Sequence, residues 1–324
     1  MTTRRELLLA LTILLGSATV LAQQPAARIA YLGPGNAKTF GIILDGLKEG
    51  LRENSLMEGK DYVLDVRWAE GRYERFPAMV DELLRLNPRV IVPGTIAAVR
   101  AAQRATSTIP IVMPSINDPI GAGLIASLAR PGGNITGIAS LADDVTPKLI
   151  DLLREVVPRA KQVAIIFNPD NPSNRKHLET ARIAAGSIGV KVEGFELRHP
   201  REIDSVFAAL LRQGFRAVLI GRDAALLDSR EEMSTAALTN RIPVIAPWPE
   251  YADTGALIGY GSSIRDNYRR SAIHVKKILA GTKPADLPVE QPTQIVLWVN
   301  MKTARLLGIV IPQSVLLRAD RVIE

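Results

Sequence analysis

The chain has 324 residues, 47% of them hydrophobic, 23% charged and only 5% aromatic, which is enough for two domains built on aliphatic cores. It holds no cysteine, which excludes disulfides, thiolate metal sites, a cysteine nucleophile and a lipid-modified N-terminal cysteine. Lys and Arg number 40 against 33 Asp and Glu, a formal charge of +7, but they form no basic block, so no nucleic-acid footprint is present.

Residues 1–22 read as an export signal. Arg4-Arg5 opens it, Leu7 to Leu15 is a short apolar run, and Val20-Leu21-Ala22 supplies a processing site, with cleavage after Ala22. The run is too short to span a membrane. Thr3-Arg4-Arg5-Glu6-Leu7-Leu8 also fits a twin-arginine signal, and an ordinary secretory signal stays open beside it. Either route puts the mature chain outside the cytoplasm, in the periplasm.

Strands and helices then alternate. Strands are predicted at 28–32, 62–68, 90–92, 111–113 and 134–138, and helices at 39–54, 74–86 and 96–106. Phe40, Ile43, Leu44, Leu47 and Leu51 share one face of the first helix. The series starts again with a helix at 147–157 and strands at 162–167, 191–197, 217–220, 243–246 and 256–260. Helices are expected from the Asn171–Asn174 loop to about 187, at 202–213 and at 230–239. A long helix over 264–281 and a tail with a strand at 294–299 and a helix at 301–307 close the chain. Alternation of this kind predicts an α/β fold, two Rossmann-like lobes with parallel sheets. The first lobe is expected over 28–140, with the helix 264–281 returning to it, and the second over 141–263 with 291–324.

The organising stretch is 109–123. A buried strand, Ile111 to Met113, runs into the polar loop Pro114-Ser115-Ile116-Asn117-Asp118-Pro119, and a helical pattern is expected from Leu124 to Ala129. Ligands of open parallel sheets sit at the carboxyl ends of the strands. The polar and aromatic residues at such ends are the candidate ligand contacts: Asn36, Thr39, Gly94, Thr95, Ser115, Asn117, Asp118, Asn171, Ser173, Asn174, Asp223, Trp248, Glu250 and Tyr260. Helix starts at Thr39 and Ser173 offer free amides to a carboxylate. Asp118, Asp223 and Glu250 could hold an ammonium, and Trp248, Tyr251 and Tyr260 could wall an apolar or aromatic side chain. Each residue taken singly fits a helix cap or a contact between lobes equally well.

Other chemistry finds no support. His177, His199 and His274 stand at no metal-ligand spacing. Ser115, Asn117 and Asp118 lack a neighbouring histidine for a nucleophile–base pair. Gly33-Pro34-Gly35-Asn36-Ala37-Lys38 matches neither nucleotide-loop pattern, and its proline removes an amide that a phosphate would use. Asn134-Ile135-Thr136 fits the glycosylation triplet, a pattern that chance often produces.

Several of these stretches resemble the ABC-transporter substrate-binding protein family that includes tryptophan- and tyrosine-binding members. The residues are Thr108-Ile-Pro-Ile-Val112, Asp118-Pro119, Ser127 through Gly137, Phe167-Asn-Pro-Asp-Asn-Pro172 and Tyr260-Gly261. The tail joins them with Gly281 through Pro288 and Leu306 through Pro312. The resemblance covers nearly all of the mature chain, and the run Arg130 to Gly137 is its most specific part. It implies a type I periplasmic binding protein fold, two lobes joined by three crossings with the ligand cleft at the hinge. Two places depart from the family pattern, Thr254-Gly255 where paired glycines are frequent and Ser262-Ser263 where Pro-Asn is frequent. Both lie near the expected cleft and bear on ligand identity.

The expectation is an exported solute-binding protein and not an enzyme, a monomer without cofactor or metal. It would capture an amino acid or a related, aromatic or other, small carboxylate and deliver it to an ABC transporter membrane permease. Asp118 and the Asn171–Asn174 loop are expected to meet the ligand from opposite lobes. Two rivals stay open: a periplasmic sensing protein with the same cleft, and an exported α/β enzyme, which would need a catalytic pair that the sequence does not show.

Overall fold

A computed structural model describes residues 26–140 and 142–324. The export signal read over 1–22 lies outside them. Two sheets carry the fold. The first consists of β1 (Ala27–Gly33), β2 (Tyr62–Trp68), β3 (Val90–Pro93), β4 (Ile111–Asn117) and β5 (Ile135–Ser140) in the order β2-β1-β3-β4-β5, parallel at every pairing. The second takes β6 (Gln162–Phe167), β7 (Lys191–Glu196), β8 (Val218–Ile220), β9 (Val244–Ala246), β10 (Ile258–Gly261), β11 (Val296–Asn300) and β12 (Arg321–Ile323) in the order β12-β11-β10-β9-β8-β6-β7. It is parallel except where β11 meets β10 antiparallel.

Helices cover the faces, which is why the strands are apolar runs; β3, for instance, is buried throughout. Among the described residues the first lobe has α1 (Ala37–Glu53), α2 (Phe76–Leu84) and α3 (Ile96–Ala105). The second has α4 (Ala142–Val156), α5 (Pro172–Gly186), α6 (Ile203–Arg212), α7 (Ala224–Asp228), α8 (Arg230–Thr239), α9 (Glu250–Asp253), α11 (Met301–Leu307) and α12 (Gln313–Leu316). Between α9 and α11 comes α10 (Ile264–Leu279), which packs on α1 and β4 of the first lobe. The chain thus passes between the lobes after β5, after β10 and after α10. On its last passage residue 290 pairs beside β5, where Ala139 donates to the Glu290 carbonyl (2.8 Å) and Glu290 donates to Gly137 (2.9 Å).

Local chemistry explains the starts. Asn36, in extended backbone, accepts from the amides of Lys38 and Thr39 and opens α1. Thr95 accepts from Ala98 and opens α3. Phe40, Ile43, Leu44, Leu47 and Leu51 of α1 are buried, as their spacing predicts.

The structure corrects three expectations. No helix forms at 124–129. Leu124 donates to the Pro119 carbonyl and Ala126 to that of Pro131, while Gly123, Gly132 and Gly133 take left-handed backbone, so the segment folds as linked turns. β4 runs on to Asn117, so Ser115 and Asn117 belong to a strand rather than a loop. The last strands are not all parallel. The short elements α7, α9, α12 and β12 have no periodicity long enough to read from sequence.

Strand order places the site. In each sheet the order reverses once, between β1 and β3 in the first and between β6 and β8 in the second, and ligands of such sheets bind outside the strand ends at that switch point. Residues after β3, β6 and β8 face one another across the lobes.

Candidate functional site

A cavity of about 130 Å³ lies between the lobes. From the first lobe it is lined by Tyr73, Gly94, Thr95, Ile96, Ala97, Arg100, Ser115, Ile116 and Asn117; from the second by Asp170, Asn171, Arg222, Asp223, Ala224 and Trp248; and by Ile264 of α10. The walls mix apolar surface with a few polar groups, the usual character of a small-molecule site. The volume is close to the roughly 150 Å³ of a cavity known to hold benzene.

Seven of the fourteen residues anticipated from sequence come together here: Gly94, Thr95, Ser115, Asn117, Asn171, Asp223 and Trp248. Gly94 is needed for close approach, because a side chain would meet the Tyr268 hydroxyl and Pro34. Thr95 caps α3 and so turns that helix start toward the cavity. Asn117 bridges the lobes: its Nδ2 donates to the Arg222 carbonyl at 3.3 Å, while its Oδ1 accepts from the Ser140 hydroxyl. Ser115 accepts from Asn267 Nδ2 (3.1 Å), which also reaches Ser262 (3.2 Å).

Asp223 is buried and caps α7. One carboxylate oxygen accepts from Asn168 Nδ2 (3.2 Å) and from the amides of Ala225 (2.9 Å) and Leu226 (3.2 Å); the other accepts from Asn171 Nδ2 (2.9 Å). Burial raises its pKa against the pull of these bonds. Three of the four donors share one oxygen, and the other oxygen takes Asn171 alone.

The other seven stand elsewhere. Asn36 is the α1 cap, and Thr39 donates to Asp228 of the second lobe. Asp118 takes a left-handed turn, accepts from the Gly121 amide (2.9 Å) and pairs with Lys176 (3.5 Å); it does not line the cavity, because the turn after β4 carries it past the strand end. Asn174 is buried behind Arg222, whose carbonyl it holds at 3.0 Å. Glu250 is buried and accepts from Ser263 (2.6 Å) and the Arg265 amide (3.4 Å), fixing the start of α10. Tyr260 sits on β10 and packs into the second lobe's core. Ser173 lies in α5, and its side chain falls outside the described residues.

Sequence reading missed Arg222. It is 3% exposed, and its guanidinium carbon lies 4.5 Å from the centroid of the Trp248 ring. Nη1 donates to the Pro247 carbonyl (3.0 Å) and Nη2 reaches Ser262 (3.4 Å). Nε is buried without a hydrogen-bond partner among the described residues, and so is Trp248 Nε1. Desolvation pushes the Arg222 pKa down to about 9, opposed by the negative charge of Glu250. Tyr73 was missed as well, since nothing in its neighbours marks it as more than a surface aromatic.

Two facing lobes with a cavity at both switch points define a two-domain ligand-binding protein. Residues 36–323 match the family described as ABC transporter substrate binding protein, and the chain belongs to that family, one of solute-binding proteins and not of enzymes. A tyrosine-binding protein of Clostridioides difficile (strain R20291) is 23% identical over 269 residues, covering 82% of this chain and 77% of the relative. Among solved structures, an ABC domain from Streptococcus pneumonia in complex with L-Trp superposes with a TM-score of 0.84 at 24% identity, covering 92% of this chain and 100% of that one. A conserved domain protein of Vibrio cholerae reaches 0.85 at 26% identity, covering 92% and 99%. The two-lobed periplasmic binding fold expected from the resemblance is the fold of the chain. Among the described residues no cluster could hold a metal ion, and no helix is long and apolar enough to cross a membrane.

Proposed function

We propose that the chain is the exported solute-binding component of an ABC-type importer, which captures a small carboxylate, an amino acid or a relative of one, between its lobes and delivers it to a membrane permease. The observation that carries this reading is the cavity itself: both lobes wall it, at the strand ends, in a chain of a substrate-binding family. The relatives whose descriptions name tyrosine and L-Trp support an amino-acid-sized ligand, and the apolar walls Tyr73, Ile96, Ile116 and Ile264 suit an aromatic one. Closure would follow from ligand contacts to both lobes at once, a hinge motion typical of such proteins.

A thermal-shift screen of amino acids and aromatic acids tests the ligand class. A true ligand at 100 times its dissociation constant adds about 2.7 kcal/mol of stability. A screen in which no small carboxylate raises the melting temperature would remove it. Export is tested by mass spectrometry of the secreted chain, which should begin near Gln23; an intact Met1 would count against a cleaved signal.

A further inference from the structure

The cavity is lined by four charged side chains, Arg100, Arg222, Asp170 and Asp223, and they differ in what they still lack. Arg100 is partly buried and donates to the Ala122 carbonyl (3.2 Å). Asp170 is exposed and lies 3.7 Å from Arg198. Asp223 is buried but already takes four hydrogen bonds from within its own lobe. Arg222 is buried, has no carboxylate at ion-pair distance among the described residues, and keeps Nε–H unbonded. Glu250 is close enough for its charge to act on Arg222, but it stands beyond ion-pair distance; its Oε1 is engaged with Ser263 and the Arg265 amide, its Oε2 is buried without a partner among the described residues, and burial raises its pKa.

An ammonium entering this cavity meets one buried carboxylate in the lining, Asp223, already held by four donors; Glu250 Oε2 is unbonded but lies outside the lining. A carboxylate meets several donors in want of an acceptor. Arg222 Nε–H and Trp248 Nε1–H come from the second lobe, both buried and both unpartnered. Opposite them the first turn of α3 lines the cavity with Ile96 and Ala97, whose amides have no carbonyl one turn back; the Thr95 cap takes only that of Ala98. A helix start of this kind favours an anion. Leaving a guanidinium buried and uncompensated is costly, and an arriving anion removes that cost with charge-assisted bonds.

We propose that Arg222 is the counter-charge of the ligand and that the cavity selects a carboxylate without an amino group over the zwitterionic amino acid. This rests on the reading of the cavity as the solute site and narrows its substrate class to an organic anion, with an apolar body of about the size of one aromatic ring. Trp248 is the positioning residue, holding the guanidinium by its ring and adding one N–H. The anion would join Arg222 to the α3 start, so the group that binds the ligand is also the group that draws the lobes together.

Calorimetry on the purified protein with three probes that share one ring separates the possibilities: 3-phenylpropionate, phenylalanine and phenethylamine. The acid should bind at least tenfold more tightly than the amino acid, and the amine at least 100-fold more weakly than the acid. Arg222→Gln should lose at least 100-fold for the acid, and Arg222→Lys, which keeps the charge but not the planar donors, at least tenfold. Trp248→Phe keeps the ring without its N–H and should lose severalfold with little change in melting temperature. Phenylalanine binding as tightly as the acid, or more tightly, would overturn this proposal and leave the broader one standing. Wild-type affinity in both Arg222 variants would assign Arg222 to structure and overturn it too. Failure of all three probes, with binding of an uncharged or cationic solute instead, would remove the carboxylate reading and this one together.

Discussion

Thr39, in the first turn of α1, donates its hydroxyl to the carboxylate of Asp228, the last residue of α7 in the opposite lobe. The backbone amide of Asn36 serves the same carboxylate. Two residues on, Arg230 Nη1 donates to the Thr39 carbonyl at 3.0 Å. A side chain at Gly35 would meet the Asp228 carboxylate, which would have to shift. Asn36 and Thr39, anticipated as ligand contacts, stand outside the cavity lining, in a contact between the lobes that we call the latch. Asp228 at the α1 start is also favoured by the helix dipole.

A hinge closure that forms this latch should be sensitive to pH. Burial raises the Asp228 pKa to about 7, with Arg230 pulling it down and Glu232 pushing it up. The tyrosines whose pKa it influences, Tyr31, Tyr73 and Tyr251, are themselves raised and stay neutral. In an open form the carboxyl returns to water and to its ordinary value near 4. The acid is therefore protonated more readily when closed, and closing takes up a proton. Ligand affinity should fall as pH rises from about 4 to about 7 and level off above, by at most tenfold per pH unit. Asp228→Asn should flatten this part of the profile. Calorimetry in two buffers of different ionisation enthalpy reads the proton directly; no uptake at pH 6 in the wild type would contradict the linkage.

The alternation of apolar runs and amphipathic stretches made the two sheets legible, because a strand buried on both faces and a helix buried on one leave unlike patterns. Phe40, Ile43, Leu44, Leu47 and Leu51 needed nothing more than spacing. The segment 124–129 failed because its amides serve turns, Leu124 bonding to Pro119 and Ala126 to Pro131, between the left-handed Gly123 and Gly132. Strand-end position found half of the cavity, but position alone does not say whether a polar group faces a ligand or serves its own backbone. Asp118 and Asp223 look alike in sequence; a left-handed turn carries the first away, and a helix start holds the second in. Arg222 was invisible for a different reason. A basic residue after a strand is ordinarily solvated, and only the tertiary arrangement of Trp248, Pro247 and Ser262 shows that this one is not.

Asp118→Asn follows from the turn geometry. Asn keeps an acceptor for the Gly121 amide and tolerates the positive φ of 37° at least as well as Asp. The Lys176 pair is partly exposed and contributes little. Ligand affinity should stay within threefold of wild type and the melting temperature should barely move. Asp118→Ala, which removes the acceptor, should cost about 1 kcal/mol of stability, the scale of a lost cap. A tenfold affinity loss in Asp118→Asn, measured by calorimetry, would bring Asp118 back into the site.

Gly50→Ala tests the seat of α10. On an exposed helix this change gains roughly 0.5–1 kcal/mol. Here a methyl group at Gly50 would collide with the Arg269 carbonyl, and one at Gly46, a turn earlier, with that of Arg265. Backbone cannot move aside cheaply, so overpacking of about 1–3 kcal/mol outweighs the propensity gain. Denaturant unfolding should show a net loss of stability, larger in the double variant with Gly46→Ala. A stabilised Gly50→Ala would mean that α1 and α10 are not packed as closely as described.

Arg222→Met separates what the arginine does for binding from what it does for folding. In the empty protein the guanidinium is buried without a carboxylate, and its few bonds go to Pro247 and Ser262. Replacing buried ionic groups with apolar residues of similar volume is often neutral or stabilising by about 1–4 kcal/mol, although removing one partner alone is not. No ion pair is broken here, because Glu250 lies beyond ion-pair distance of Arg222 and its Oε1 keeps its bonds to Ser263 and the Arg265 amide. Met can follow the path of the arginine side chain and rest on the Trp248 ring. What is lost is the pair of charge-assisted bonds to Pro247 and Ser262, set against the cost of keeping a guanidinium buried. The melting temperature of the empty protein should therefore hold or rise, while carboxylate binding disappears and the stabilisation by ligand disappears with it. A variant that melts well below wild type in the absence of any ligand would show that Arg222 is retained for the fold and not for the solute.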